Sequence, residues 1–192
     1  MQSTQETWKK GYEVMPSNIQ LPAISFRQAP DSELKTSSSK LDALFPDDPQ
    51  KAERSYRKTI RSISEVKEFA EQSLLALGFS DLSVAEQLQD LAAQLIKRFK
   101  LNYLHCRMDL VYTDSCRKFH IDNLYTRSIT TLIGPGTEYK LMSKSNEVLQ
   151  VKTGETILLK GLKHRGRSSK IVHKSPKISH LNTYRLVFVM DY

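Results

Sequence analysis

Only two cysteines, Cys106 and Cys116, occur in the 192 residues. That is too few for a disulfide framework, so the chain is expected to fold without covalent staples, in a reducing compartment. Nothing in the polar start Met1-Gln2-Ser3-Thr4-Gln5 resembles a secretory signal, so none is expected. No apolar run approaches the roughly 20 residues that cross a bilayer. A cytoplasmic protein without membrane contact is therefore expected. There is no Gly-x-Ser-x-Gly elbow to present a nucleophilic serine, and no glycine loop of the kind that cradles phosphate.

What is present is the composition of a soluble globular protein, with 39% apolar and 26% charged residues. The length suits one domain plus a tail. Residues 1–50 are expected to form an N-terminal extension, with an edge strand over 18–26 and a serine-rich linker over 31–39. Pro22 bars that strand from a central position. Pro46-Asp47-Asp48-Pro49 has the turn chemistry that opens a helix. The domain proper is expected over 51–192, with helices over 51–99 and strands over 100–192.

Within the helical part, Val66, Phe69, Ala70, Leu74 and Leu77 recur at helical spacing, and Gly78 is placed to end the helix. Ser83-Val84-Ala85-Glu86 has the pattern of a capping box. Leu88, Leu91, Ala92, Leu95, Ile96 and Phe99 then mark one apolar face. From residue 100 the period falls to two. Leu104, Cys106, Met108, Leu110 and Tyr112 alternate with Tyr103, His105, Arg107, Asp109 and Val111. The second face is either solvent-exposed or the wall of a polar cavity, where Arg107 would meet an anionic ligand. Further β-rich segments lie at 127–133, 156–159, 170–173 and 184–190, with turn signals between them. The expected architecture is α+β: N-terminal helices packed on a C-terminal jelly roll, a cupin-like double-stranded β-helix.

The net charge of +8 permits attraction to anionic partners. Its densest patch, 160–170, has no interleaved aromatic residue and reads foremost as a solvated loop. A basic nucleic-acid-binding module is carried as one alternative. The sharper chemistry lies in Lys118-Phe119-His120-Ile121-Asp122-Asn123. On a strand, His120 and Asp122 project from one face, giving two ligands of a metal site. One more histidine completes a 2-His-1-carboxylate triad of the kind that leaves open positions on iron(II). His173, ending an apolar strand, is the first choice for the third ligand. His180, in a loop, is held in reserve, and His164 lies inside the basic loop. Arg185 opens the last strand, where a guanidinium can hold a carboxylate by two parallel hydrogen bonds. Arg127 would share that pocket if it points inward. Cys116, four residues before His120, has a spacing seen in zinc sites but is more often a small apolar residue. Glu138 is a candidate to orient a ligand histidine.

His120-x-Asp122, His173 and Arg185 followed by an apolar strand resemble the double-stranded β-helix of the iron(II)/2-oxoglutarate-dependent oxygenases. A closer resemblance covers residues 102–192 most clearly. It is carried by Arg107-Met108-Asp109, Cys116 to Asn123, Gly134-Pro135-Gly136-Thr137-Glu138-Tyr139 and Val172-His173-Lys174-Ser175-Pro176. These are similar to the bacterial domain-of-unknown-function family 1826, which brings no reaction with it. The distant resemblance implies iron(II) held by His120, Asp122 and His173, 2-oxoglutarate anchored by Arg185, and oxidation of an unspecified substrate. The family's association with zinc-responsive systems keeps a second expectation open: a non-enzymatic metal-binding jelly roll serving zinc homeostasis.

Overall fold

The computed structural model of the chain describes residues 4–16, 19, 54–142, 147–164, 169–181 and 183–192. The edge strand expected at 18–26, the linker at 31–39 and the turn at 46–49 lie outside these residues, apart from Ile19. A short helix α1 (Thr4–Lys10) leads into β1 (Tyr12–Met15), followed later by β2 (Arg54–Ile60), α2 (Ser64–Ala76) and α3 (Val84–Phe99). Seven strands complete the chain: β3 (Leu104–Val111), β4 (Thr126–Ile133), β5 (Glu138–Leu141), β6 (Leu149–Gln150), β7 (Thr156–Lys160), β8 (Ile171–Lys174) and β9 (Arg185–Asp191).

The strands form two antiparallel sheets. The larger has the order β1-β7-β4-β9-β3-β2 and the smaller β6-β5-β8. His120 adds a one-residue bridge to His173 on the outer side of β8. From β3 onward the chain passes between the sheets: β3 large, residue 120 small, β4 large, β5 and β6 small, β7 large, β8 small, β9 large. That shuttling winds two Greek keys into a jelly roll.

Period-two patterning separates two cores. Cys106, Met108 and Leu110 of β3, with Leu186, Phe188 and Met190 of β9, face α2 and α3. The helices meet them with Phe69, Leu74, Leu88 and Leu95. The opposite face of the large sheet turns Ile129, Ile157, Val187 and Val189 toward Tyr139, Val151 and Ile171, between the sheets. α2 stops where expected. Gly78 adopts φ +88°, and the Phe79 N–H reaches back to the Leu74 carbonyl at 3.0 Å.

Three local expectations are corrected. Arg54–Ile60 is a strand, not part of a helix, and pairs with β3 along its whole length. Its arginines and lysine carry no apolar helical face, and at the sheet's margin such a charged strand protects an exposed edge. The capping box does not form. Ser83 is already helical (φ −57°, ψ −30°) with no hydroxyl cap, and its N–H donates instead to Asp81 Oδ1 at 2.9 Å. The N-terminal segment is also more than an extension, because β1 pairs with β7 as the other edge of the large sheet.

Candidate metal centre

The pairing of His120 with His173 builds the site. Each residue donates its backbone N–H to the other's carbonyl at 3.0 Å. Residues paired in this way project their side chains to the same face. The two imidazole centroids consequently stand 4.4 Å apart. Asp122 follows in irregular chain rather than on the regular strand expected there. It is held by a second set of bonds: Leu162 N–H to the Asp122 carbonyl at 2.9 Å, Lys163 N–H to Leu124 at 3.0 Å and Gly161 N–H to Tyr125 at 2.9 Å. Gly161 is required at this seam, since a Cβ there would run into the carbonyl oxygens of Leu124 and Asp122.

Asp122 Oδ2 lies 3.2 Å from His173 Nε2, and Asp122 Oδ1 lies 3.5 Å from His120 Nε2. One ligand atom from each of the three residues falls within 4.8 Å of the others. The His120 Nδ1 sits 3.0 Å from the Lys118 carbonyl. That contact selects the tautomer with hydrogen on Nδ1 and leaves Nε2 as a lone-pair donor. Asp122 Oδ2 is buried with no aligned hydrogen bond, which is costly for a carboxylate oxygen unless a cation takes it. Two imidazole nitrogens and a carboxylate oxygen form a donor set suited to first-row divalent metals. The residues fit a metal ion.

Arg127 fixes the carboxylate. Its Nη1 donates to Asp122 Oδ1 at 2.6 Å, while Nε and Nη2 grip both oxygens of Asp191 at 2.6 and 2.7 Å. Burial disfavours the Asp122 carboxylate, but the neighbouring His173, Arg127 and His120 outweigh it and hold its pKa below the ordinary value. Asp122 is therefore ionised at neutral pH. Arg127, expected to share the cosubstrate pocket if it points inward, does line the cavity with Arg185, and its guanidinium is engaged there by two aspartates.

The triad opens on a cavity of about 520 Å³ that Arg107, Asp109, Arg127, Thr137 and Arg185 also line. Arg185 is 3% exposed. Its Nε donates to the Pro135 carbonyl at 2.7 Å, and Nη2 approaches Thr131 Oγ1 at 3.3 Å and Thr137 Oγ1 at 3.5 Å. Among the described residues no carboxylate is ion-paired with it. Burial lowers its pKa to about 10, so it stays cationic at neutral pH. Gly134, at φ +80°, lets the turn pass against Tyr184 and Arg185, where a Cβ would meet the Tyr184 carbonyl. Arg107 also faces the cavity, with Nε 2.7 Å from Asp109 Oδ2.

Other candidates lie elsewhere. Cys116 is exposed, adopts φ +54°, and places Sγ 3.7 Å from both His120 ring nitrogens without joining the triad. Glu138 pairs with Lys174 at 2.8 Å rather than with a histidine. His164 packs on Trp8 and approaches Thr126, while His180 is exposed in a turn. The roles of Thr131, Thr137 and Asp191 were missed by the sequence reading. Asp191 had one usable signal: six residues from Arg185 on one strand, it must share its inward parity.

The family described as "Protein of unknown function (DUF1826)" matches residues 20–191. A comparison with curated protein sequences gives no match. Among solved structures, the chain is similar to the rice dioxygenase for auxin oxidation, at 15% identity and a TM-score of 0.47, over 94% of this chain and 72% of that one. It is similar to a Pseudomonas putida prolyl-4-hydroxylase, at 12% identity and a TM-score of 0.44, over 98% and 95%. It is also similar to a Trichoplax adhaerens prolyl hydroxylase in complex with a hypoxia-inducible-factor peptide, at 11% identity and a TM-score of 0.48, over 98% and 86%.

Proposed function

The chain belongs to the DUF1826 family, and from the site this family member carries we propose that it is an iron(II)- and 2-oxoglutarate-dependent oxygenase. One observation carries the reading: two imidazoles and an ionised carboxylate converge on a cavity that also holds a buried arginine with no carboxylate partner among the described residues. Three protein donors leave the remaining positions of a six-coordinate metal for small ligands.

In this reading His120, Asp122 and His173 hold the metal, and Arg127 keeps Asp122 in its ligating orientation. Arg185 binds the distal carboxylate of 2-oxoglutarate. Its charge is fixed by the Pro135 carbonyl and the two threonine hydroxyls, so little reorganisation is needed when the ligand arrives. Ile129, Val187 and Val189 give the same cavity an apolar wall. Bound iron(II) would supply oxygen activation coupled to decarboxylation of the oxo acid, and the protein would supply ligands, orientation and shielding.

Metal content after anaerobic dialysis against iron(II) tests the ligand set. We expect one iron per chain in the native protein and essentially none in His120→Ala, Asp122→Ala or His173→Ala. Unchanged iron in all three variants rules the reading out. A second reading, a zinc-holding protein without catalysis, is favoured by the Cys116 thiol beside His120. It predicts zinc bound far more tightly than iron, with affinity that falls in Cys116→Ser. The oxygenase reading expects Cys116→Ser to leave metal affinity unchanged.

A further inference from the structure

The cavity wall made by β2 and β3 carries a charge pattern that neither the metal ligands nor Arg185 explains. In the antiparallel register Arg57 stands directly opposite Arg107, and Ser55 opposite Asp109. Like charges facing one another across a strand pair are destabilising. The protein answers only part of this repulsion. Asp109 Oδ2 lies 2.7 Å from Arg107 Nε, and Ser55 donates to Asp109 Oδ1 at 2.6 Å. The first contact pairs Arg107 Nε with a carboxylate but is poorly aligned for a hydrogen bond. Arg57 has one contact, its Nε to Ser55 Oγ at 3.2 Å, and no carboxylate partner among the described residues.

Both arginines border the metal cavity. They also border a recess of about 270 Å³ that continues along β2 and β3 past Lys58 and His105. A group with several oxygen acceptors placed between the guanidiniums would remove the remaining repulsion and give both forks well-aligned acceptors. Planar guanidinium forks are matched to phosphate and carboxylate oxygens. The main cavity, at about 520 Å³, has the size of a small-molecule site.

We propose that Arg57 and Arg107 form a subsite for an acidic group, a phosphate or a carboxylate, carried by the substrate, which is therefore a small organic anion. That this anion is the substrate rests on the oxygenase reading; that an anion binds there rests on the arginine pair alone.

Calorimetric titration of metal-free protein with inorganic phosphate, and separately with acetate, reads the subsite without iron, 2-oxoglutarate or turnover. We expect saturable binding of at least one probe at a site that persists in Arg185→Gln, the variant that removes the carboxylate anchor of the proposed function. Binding should weaken by about 10-fold or more in Arg57→Gln and in Arg107→Gln, the loss of one charge-assisted hydrogen bond. Affinity should be retained in Arg185→Gln. The stronger probe identifies the acidic group as phosphoryl or carboxyl. Arg57 is exposed on an edge strand, so its variant folds. With no anion present, Arg57→Gln should melt at a higher temperature than the native protein, the reverse of what a purely structural arginine would give. If iron binding fails while phosphate or acetate binding holds, the oxygenase reading falls and the anion site stands. The proposal is overturned if neither probe binds, if binding survives Arg57→Gln, or if it is lost only in Arg185→Gln.

Discussion

Two carboxylates, Asp122 and Asp191, lean on the single guanidinium of Arg127 through contacts of 2.6, 2.6 and 2.7 Å. Replacing it as Arg127→Gln leaves both acids facing each other in a half-buried site. We expect a loss on the order of 3 kcal/mol in unfolding free energy, read by denaturant titration. Metal affinity should fall by roughly 10- to 100-fold in the same variant, as is typical when a ligand loses its orienting partner. A drop in stability with metal affinity intact would assign Arg127 to structure alone. Asp114 offers a separate test. Its carboxylate accepts the backbone N–H groups of Ser179 and Ile178 and the Ser179 hydroxyl, which hold its pKa down to about 2. A depressed carboxyl stabilises the fold above the unfolded-state value of about 3.9, and that contribution disappears as pH falls through the folded value. Amide exchange at Ile178 and Ser179 should therefore stay protected down to about pH 4 and lose protection toward pH 2. In Asp114→Ala that protection should be missing at every pH, once the intrinsic exchange rate is allowed for. At this scale the convergence of His120, Asp122 and His173 was legible because ligand chemistry restricts the residue types. The strand parity expected to place Asp122 does not apply in its irregular segment. Arg185 was legible as a residue facing the same cavity. Arg127 was legible as an inward residue but not as a clamp, since its partners come from a loop and from the far end of β9.

Elements set where those residues can go. The bridge between His120 and β8 places the imidazoles side by side, and the 161–163 turn stitches the Asp122 loop into register with it. Gly161→Ala should force that loop outward, so we expect weakened metal binding with a folded helical signal preserved in far-ultraviolet dichroism. Wild-type affinity in this variant would mean that the loop tolerates the displacement. The helices act on the other face of the large sheet. Leu88, fully buried against that face, should cost about 3 kcal/mol as Leu88→Ala, measured by thermal or denaturant unfolding. Metal stoichiometry should not change, because the removed volume lies behind the sheet. The α2 and α3 faces and the strands β3, β4, β7, β8 and β9 could be read from periodicity, as apolar burial imposes a period of 3.6 or 2. β2 could not, because Arg54-Ser55-Tyr56-Arg57-Lys58-Thr59-Ile60 buries only its last residue. An edge strand with one covered face and many charges leaves no apolar alternation to find. β6 contributes two exposed residues and is equally silent.

For the molecule as a whole, the two sheets have different duties. The large sheet takes the helices on one side and supplies Arg107, Arg127 and Arg185 on the other, while the small sheet and its one-residue bridge supply both imidazoles. The site exists only when the sheets close on each other, so metal binding and folding should be coupled. A saturating divalent metal should raise the melting temperature of the native protein and leave that of Asp122→Ala unchanged. The central claim is that this closure creates a metal centre with an oxo-acid anchor beside it. Anaerobic titration of the iron(II)-loaded protein with 2-oxoglutarate, followed by visible absorption, tests it most directly. The account predicts a new charge-transfer band that saturates at one equivalent of 2-oxoglutarate, is absent in Asp122→Ala, and needs at least about 10-fold more ligand in Arg185→Leu, as expected for a lost charge-assisted contact. Iron bound at one site per chain with no spectral response to 2-oxoglutarate would contradict it.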